Sequence, residues 1–145
     1  MALLYLDIDH FKKINDTLGH DCGDLMLREF AGRLRRSVRA ADTVARLGGD
    51  EFTIIMEGLA SPTAAGAVAE KILSAVAQPF MLDGKSVRVT TSIGIAFFKQ
   101  GDITGKQYLQ QSDAALYAAK AEGRNRYVVF SPALVQPATG PKVGQ

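Results

Sequence analysis

Two pairs of acidic residues are placed for chemistry in this 145-residue chain. Asp50 and Glu51 directly follow Gly48 and Gly49, and Asp7 and Asp9 close an apolar run near the N-terminus. A glycine pair leaves the backbone open to a bulky anion, and neighbouring carboxylates can hold a divalent cation. Glycines for a phosphate with carboxylates for Mg²⁺ suit nucleotide handling. Each feature has a plainer reading as well. Gly-Gly is an ordinary hairpin turn, because glycine tolerates the positive φ that tight hairpins need. Asp after a strand often caps the next helix. Carboxylates at the exit of a buried strand nevertheless cost solvation unless a cation or hydrogen bonds compensate them.

Those residues need strands to hold them. Residues 43–47 and 52–56 are rich in strand formers on either side of the glycines. Residues 2–6 form an unbroken apolar run, the pattern of a central strand covered on both faces. If that strand persists, Asp7 and Asp9 share one face. Phe11, Ile14 and Leu18 then fall at helical spacing, and Gly19 ends that short helix. Asp24 suits the N-cap of a long amphipathic helix, with Leu25, Leu27, Phe30, Ala31, Leu34 and Val38 inward and Arg28, Arg33, Arg35 and Arg36 outward. Asn15 can cap or turn the backbone, and His20 reads as a turn-stabilising side chain. Ser61-Pro62 opens a third helix that Pro79 ends, and Asp83-Gly84 turns a small hairpin. Residues 90–98 read as a strand in which Gly94 marks a bulge or a close backbone approach. A fourth helix over residues 107–121 and a last strand over 126–130 complete the order. It predicts one domain over residues 1–130 of the α+β class, with a central, mostly antiparallel sheet flanked by helices in the ferredoxin-like or polymerase-palm style. Residues 131–145 show no periodicity and are expected to be a flexible tail.

Composition narrows the function classes. Hydrophobic residues at 47% and charged ones at 22% are ordinary globular usage, and a net charge of +2 gives no ground for nucleic-acid or membrane binding by bulk charge. The single cysteine, Cys22, excludes an internal disulfide and reads as a small buried apolar residue. No apolar run approaches the ~20 residues of a membrane span, and Asp7 interrupts the first run too early for a signal peptide. The expectation is a cytoplasmic protein. A strand starting at residue 2 suggests that further N-terminal sequence precedes it in the whole protein.

Four motifs extend the reading. Gly48-Gly49-Asp50-Glu51-Phe52 stands behind Arg46-Leu47; Asp7, Asp9, Phe11, Lys12, Asn15 and Asp16 make D-x-D-x-F-K-x-x-N-D; Gly19, His20, Gly23 and Asp24 make G-H-x-x-G-D; Ala119, Lys120, Gly123, Arg124 and Asn125 make A-K-x-x-G-R-N. In this order and spacing the chain resembles the GGDEF family of diguanylate cyclases over nearly all of its folded part. The resemblance implies condensation of two GTP into cyclic di-GMP with release of two pyrophosphates, using Mg²⁺ or Mn²⁺. It implies that Asp7, the Ile8 carbonyl and Asp50 bind the metal, with Glu51 a further ligand or the base for the 3′-hydroxyl, so Asp7, Asp50 and Glu51 are the catalytic acids. Gly48 and Gly49 would make room for the α- and β-phosphates, Asn15 and Asp24 would read guanine, Lys120 and Arg124 would bind the terminal phosphates, and Phe11 and Lys12 would complete the substrate site. Arg39 and Asp42 match the family's R-x-x-D inhibitory product site, with Lys71 a supporting phosphate contact. The resemblance also implies a working homodimer brought together by an upstream sensory or dimerisation module.

The chemistry agrees with the residue types. Attack of a hydroxyl on an α-phosphate needs charge neutralisation, in-line placement and an activated nucleophile, which a carboxylate metal site provides. A carboxylate also pairs with guanine's N1 and N2 hydrogens, donors that adenine lacks. The chain departs from the family in lacking the D-x-L-T-G-L-x-N-R segment before the first strand and in having Leu47 where tyrosine is common. The rival reading is a non-catalytic module that binds GTP or cyclic di-GMP; the intact signature acids favour the enzyme.

Overall fold

The computed structural model describes residues 1–59, 61–98 and 104–134. In chain order it contains β1 (Ala2–Ile8), α1 (Phe11–Leu18), α2 (His20–Ser37), β2 (Thr43–Gly48), β3 (Glu51–Met56), α3 (Pro62–Ala77), β4 (Phe80–Leu82), β5 (Lys85–Val87), β6 (Thr91–Phe97), α4 (Gly105–Ala121) and β7 (Arg126–Val129). Five strands form one sheet in the order β2-β3-β1-β6-β7, while β4 and β5 pair as a separate hairpin. Pairing in the large sheet is antiparallel except for β6 with β7, which run parallel across the α4 crossover. β1, the α1–α2 pair, β2, β3, α3 and β6 make a split β-α-β unit of ferredoxin type, and α4 with β7 extends its edge. The expected α+β class is present.

β1 is buried along its whole length, as an unbroken apolar strand at the centre of a sheet must be. Period-two alternation sends Leu4, Leu6 and Ile8 to one face and Leu3, Tyr5 and Asp7 to the other. The first face joins Ile54 and Ile93 beneath Met26, Phe30 and Leu34 of α2 and Ile72 and Val76 of α3. α4 packs on the second face. A Cβ on Gly94 would stand 2.1 Å from the Ser112 carbonyl oxygen and 2.3 Å from the Leu116 nitrogen. Gly94 is therefore the close-approach position rather than a bulge, and it keeps register opposite Tyr5. That approach lowers the last turn of α4 onto the end of β1, where the acids lie.

Several helical expectations change, and Leu25, expected inward on α2, is exposed because the helix turns Met26 to the core instead. α2 begins at His20, with Gly19 at φ 91° as its N-cap, so Asp24 sits inside the helix rather than capping it. The glycine reverses the chain a full turn earlier than the first apolar position suggests. Arg33, expected outward, is instead largely covered and donates to the carbonyls of Ala75 at 2.8 Å, Gln78 at 2.7 Å and Pro79 at 2.7 Å. Its guanidinium also lies 3.4 Å over the Phe80 ring. Carbonyls at a helix end lack intrahelical partners, and Arg33 meets those that close α3. Helical periodicity cannot register such a partner from another element.

Cys22 is buried, as expected. α4 starts two residues earlier than expected, because Thr104 and Gln107 form a reciprocal capping box. Pro132–Leu134 forms a 3₁₀ turn at the start of the expected tail, and residues 135–145 lie outside the described residues. Among the described residues no helix is long and apolar enough to cross a membrane.

Candidate active site

The β2–β3 hairpin presents the first acids. Gly48 at φ 154° and Gly49 at φ 51° turn the chain, and the β2–β3 register slips between Arg46 and Gly48. Arg46 Nε donates to the Gly49 carbonyl at 2.8 Å and fixes the turn. β3 then starts at Glu51, which pairs in the ladder directly opposite Asp7. Residues facing each other across a ladder share one face, so these two carboxyl groups stand side by side under α4.

The two acids of the second pair have different partners. β1 stops at Ile8, and Asp9 lies in the turn that follows it. Its backbone N–H donates to the Thr90 carbonyl at 2.9 Å. Its carboxylate accepts from Thr90 Oγ1 at 2.6 Å, Ser92 Oγ at 2.7 Å and the Asn125 backbone N–H at 3.2 Å. The strand that would carry both acids ends between them, yet Ser92, which pairs opposite Asp7, bonds Asp9, so the two acids stay close and differ in their partners.

A cleft of about 440 Å³ gathers Asp7, Ile8, Phe11, Lys12, Asn15, Gly49, Asp50, Glu51, Lys120 and Arg124, with Asp9 and His10 at its wall. Gly48 precedes Gly49 in the turn at its rim. Asp24 lines a separate cavity of about 520 Å³ together with Arg28, Arg35 and Arg46. Asn15 nevertheless packs over Gly23, where an added Cβ would fall 1.8 Å from its Oδ1. The seam between α1 and α2 therefore sets Asn15 against the residue next to Asp24. Arg39 and Asp42 lie elsewhere, closed on each other. Arg39 Nη2 donates to Asp42 Oδ1 at 2.7 Å and to the Glu57 carbonyl at 2.6 Å, and the Arg39 N–H reaches Asp42 Oδ2 at 2.9 Å. The hydrogen bond from Arg39 holds the Asp42 carboxyl below its ordinary range. Lys71 is exposed on α3.

Electrostatics single out Asp7. It is 6% exposed. Lys120 Nζ meets its Oδ2 at 2.5 Å, while its Oδ1 is buried with no hydrogen-bond partner. Burial pushes its carboxyl up to about 6, against the opposing pull of Lys120. Burial likewise raises Asp50. The Tyr5 phenol is raised by burial first, then by the charge of Glu51 and a hydrogen bond to it. Tyr5 thus supports the Glu51 carboxylate from inside the sheet. Sequence reasoning passed over Tyr5 because it sits in an apolar run; the strand register, which puts it diagonally across from Glu51, is the signal that finds it.

The unpartnered Asp7 oxygen, with Glu51 and Asp50 beside it, fits a hard divalent cation. Mg²⁺ takes one or two carboxylates and fills its octahedron with water and phosphate oxygens. Among the described residues no three acidic, histidine or cysteine side chains are grouped as a complete metal cage. The donor set suits an ion that shares its coordination with a nucleotide.

A ferredoxin-type sheet whose central strand and a neighbouring glycine hairpin meet in a carboxylate cleft is the palm-like α+β class. Within that class the chain belongs to the GGDEF family: the family described as "Diguanylate cyclase, GGDEF domain" matches residues 1–126. The chain is 44% identical over 133 residues to the bifunctional diguanylate cyclase/cyclic di-GMP phosphodiesterase MucR of Pseudomonas aeruginosa, covering 92% of this chain and 19% of that protein. It is 45% identical over 127 residues to diguanylate cyclase A of Treponema denticola, covering 87% of this chain and 34% of that protein. It spans a minor part of both relatives' length. Among solved structures, the GGDEF domain of TpbB from Pseudomonas aeruginosa matches with TM-score 0.88 at 39% identity, over 92% of this chain and 78% of that one. The GGDEF domain of DgcB from Caulobacter crescentus, solved in complex with c-di-GMP, matches with TM-score 0.79 at 35% identity, over 88% of this chain and 76% of that one.

Proposed function

We propose that this domain is a diguanylate cyclase that condenses two GTP into cyclic di-GMP and releases two pyrophosphates. The observation that carries the reading is the buried, unpartnered Oδ1 of Asp7, held opposite Glu51 in a cleft that also contains Asp50, Lys120 and Arg124. Asp7, the Ile8 carbonyl and Asp50 would hold Mg²⁺ or Mn²⁺. The ion supplies neutralisation of phosphate charge and polarisation of the α-phosphate.

The chain's own groups do the rest. Gly48 and Gly49 offer a turn without side chains to the α- and β-phosphates. Lys120 exchanges its contact with Asp7 for the terminal phosphates, beside Arg124. Phe11 and Lys12 wall the cleft, and Asn15 and Asp24 read the guanine edge from the α1–α2 seam. Glu51 acts as a further ligand or takes the proton as the 3′-oxygen of one GTP bonds to the α-phosphorus of the other. The bond from that phosphorus to the bridging oxygen breaks, and pyrophosphate leaves with the electron pair. A second, reciprocal step closes the ring. One cleft per chain holds one GTP, so the working species is an antiparallel homodimer with a half-site on each copy. An upstream sensory or dimerisation module brings the copies together, and the GTP requirement places the domain in the cytoplasm. Arg39, Asp42 and Lys71 serve product inhibition, with Asp42 holding the Arg39 guanidinium ready to meet a guanine base or a phosphate.

Incubation with GTP and Mg²⁺, with products resolved by chromatography, tests this. Cyclic di-GMP and pyrophosphate in a one-to-two ratio, lost in Asp50→Ala, are expected. GTP that binds and returns unchanged would replace the enzyme with a binding module.

A further inference from the structure

The second acid of the D-x-D motif is left without a role by the reaction above, and its surroundings are unusual. Asp9 is 4% exposed, yet both of its carboxylate oxygens are engaged. The donors come from three places: the Thr90 hydroxyl ahead of β6, the Ser92 hydroxyl within it, and the Asn125 N–H in the loop between α4 and β7.

That loop has a demanding backbone. Gly123, Arg124 and Asn125 have φ of 119°, 65° and 50° in succession. Two adjacent non-glycine residues in the left-handed region are disfavoured by contact of Cβ with the carbonyl oxygen. Such conformations persist where the surrounding structure fixes them. Here the Gly123 N–H donates to the Lys120 carbonyl at 3.2 Å and the Arg124 N–H to the Ala119 carbonyl at 3.0 Å, tying the loop to its own helix. The bond from Asn125 to Asp9 ties it across to the end of the strand that carries Asp7. Between these ties stands Arg124, on the wall of the cleft.

We infer that Asp9 is a positioning residue whose carboxylate clamps the α4–β7 loop and thereby holds Arg124 at the cleft for the phosphates of the bound nucleotide. The inference rests on the nucleotide site proposed above. It separates Asp9 from Asp7 by chemistry: the Asp9 oxygens already receive three donors, whereas Oδ1 of Asp7 receives none. Asn in place of Asp9 can do the same work. Its amide oxygen accepts from Thr90 and Asn125, and its NH₂ donates to the Ser92 hydroxyl, which accepts as readily as it donates. A carboxylate needed as a metal ligand would not survive that exchange.

The test is a double-mutant cycle read by equilibrium binding of a non-hydrolysable GTP analogue with Mg²⁺. Loss of a charge-assisted phosphate contact weakens binding about tenfold. Asp9→Ala and Arg124→Ala are each expected to show that loss, and the double variant no more than about tenfold, because both act through one contact. Asp9→Asn is expected to bind within about threefold of the unaltered chain, by the retained acceptors. Roughly hundredfold loss in the double variant, the sum of independent effects, would overturn the clamp. So would Asp9→Asn binding as weakly as Asp9→Ala. Where Asp9→Ala does not fold, Thr90→Val removes one donor at constant volume and repeats the cycle, with the same non-additivity expected. Hydrogen exchange at the Asn125 amide, measured without nucleotide, reads the clamp alone. Protection lost in Asp9→Ala or weakened in Thr90→Val supports it, and unchanged protection refutes it. Protection lost in Asp9→Ala while the unaltered chain itself binds no analogue would overturn the nucleotide reading instead.

Discussion

Replacing Asp7 by Asn should stabilise the metal-free fold while abolishing turnover. The Asp7 carboxyl is raised from an ordinary 3.8 to about 6, chiefly by burial, with Lys120 opposing the rise. Between about pH 4 and pH 6 the folded chain keeps a proton that the unfolded chain has released. The stability due to that proton is complete below 3.8 and is lost as pH rises through about 6. Above that, the fold carries the full cost of a buried charge. About 6 minus 3.8 is roughly two pH units, and at about 1.4 kcal/mol per unit the cost is about 3 kcal/mol. Asn resembles the protonated acid in shape and cannot ionise, so Asp7→Asn should recover about 1–3 kcal/mol at pH 7.5. At about 3–5 °C per kcal/mol for a domain of this size, Tm rises by several degrees. Thermal unfolding followed by circular dichroism in chelator, from pH 4 to pH 8, measures it. The advantage of the variant should shrink as pH falls through about 6, where Asp7 protonates in the unaltered chain. A variant no more stable at pH 7.5, or an advantage independent of pH, would refute the view that Asp7 is held charged at the fold's expense until a cation arrives.

Three further outcomes are expected from the same structure. Gly94→Ala should unfold the domain or cost about 3 kcal/mol or more in chemical denaturation, because its Cβ meets backbone atoms of α4 that cannot move aside independently. Asp24→Ala should reduce the preference for GTP over ATP roughly ten- to a hundredfold in nucleotide titrations, the value of a charged hydrogen bond to guanine; undiminished preference would leave Asn15 as the reader. Arg39→Ala should weaken cyclic di-GMP binding by about tenfold in calorimetry, since the planar fork of arginine is lost, and equal affinity in both proteins would remove the R-x-x-D site from the regulation of this domain.

The fold was legible where a local rule and the tertiary contact agree. Gly48-Gly49 between two runs of strand formers needs no partner to be a hairpin, and the apolar run of β1 can be central only if helices cover both faces. Arg33, Asp9 and Tyr5 were hidden for one shared reason: the groups that define them are supplied by other elements. Arg33 looks like a solvent-facing helical charge until the carbonyls at the end of α3 arrive. Asp9 looks like a twin of Asp7 until Thr90, Ser92 and Asn125 take its oxygens. Spacing along one strand cannot say which of two acids keeps an oxygen free; only the neighbouring strand and loop decide that. The D-x-D pair therefore divides its labour through its surroundings. One acid is fully hydrogen-bonded and holds a loop, and the other keeps a bare buried oxygen, which the proposed reaction assigns to a cation.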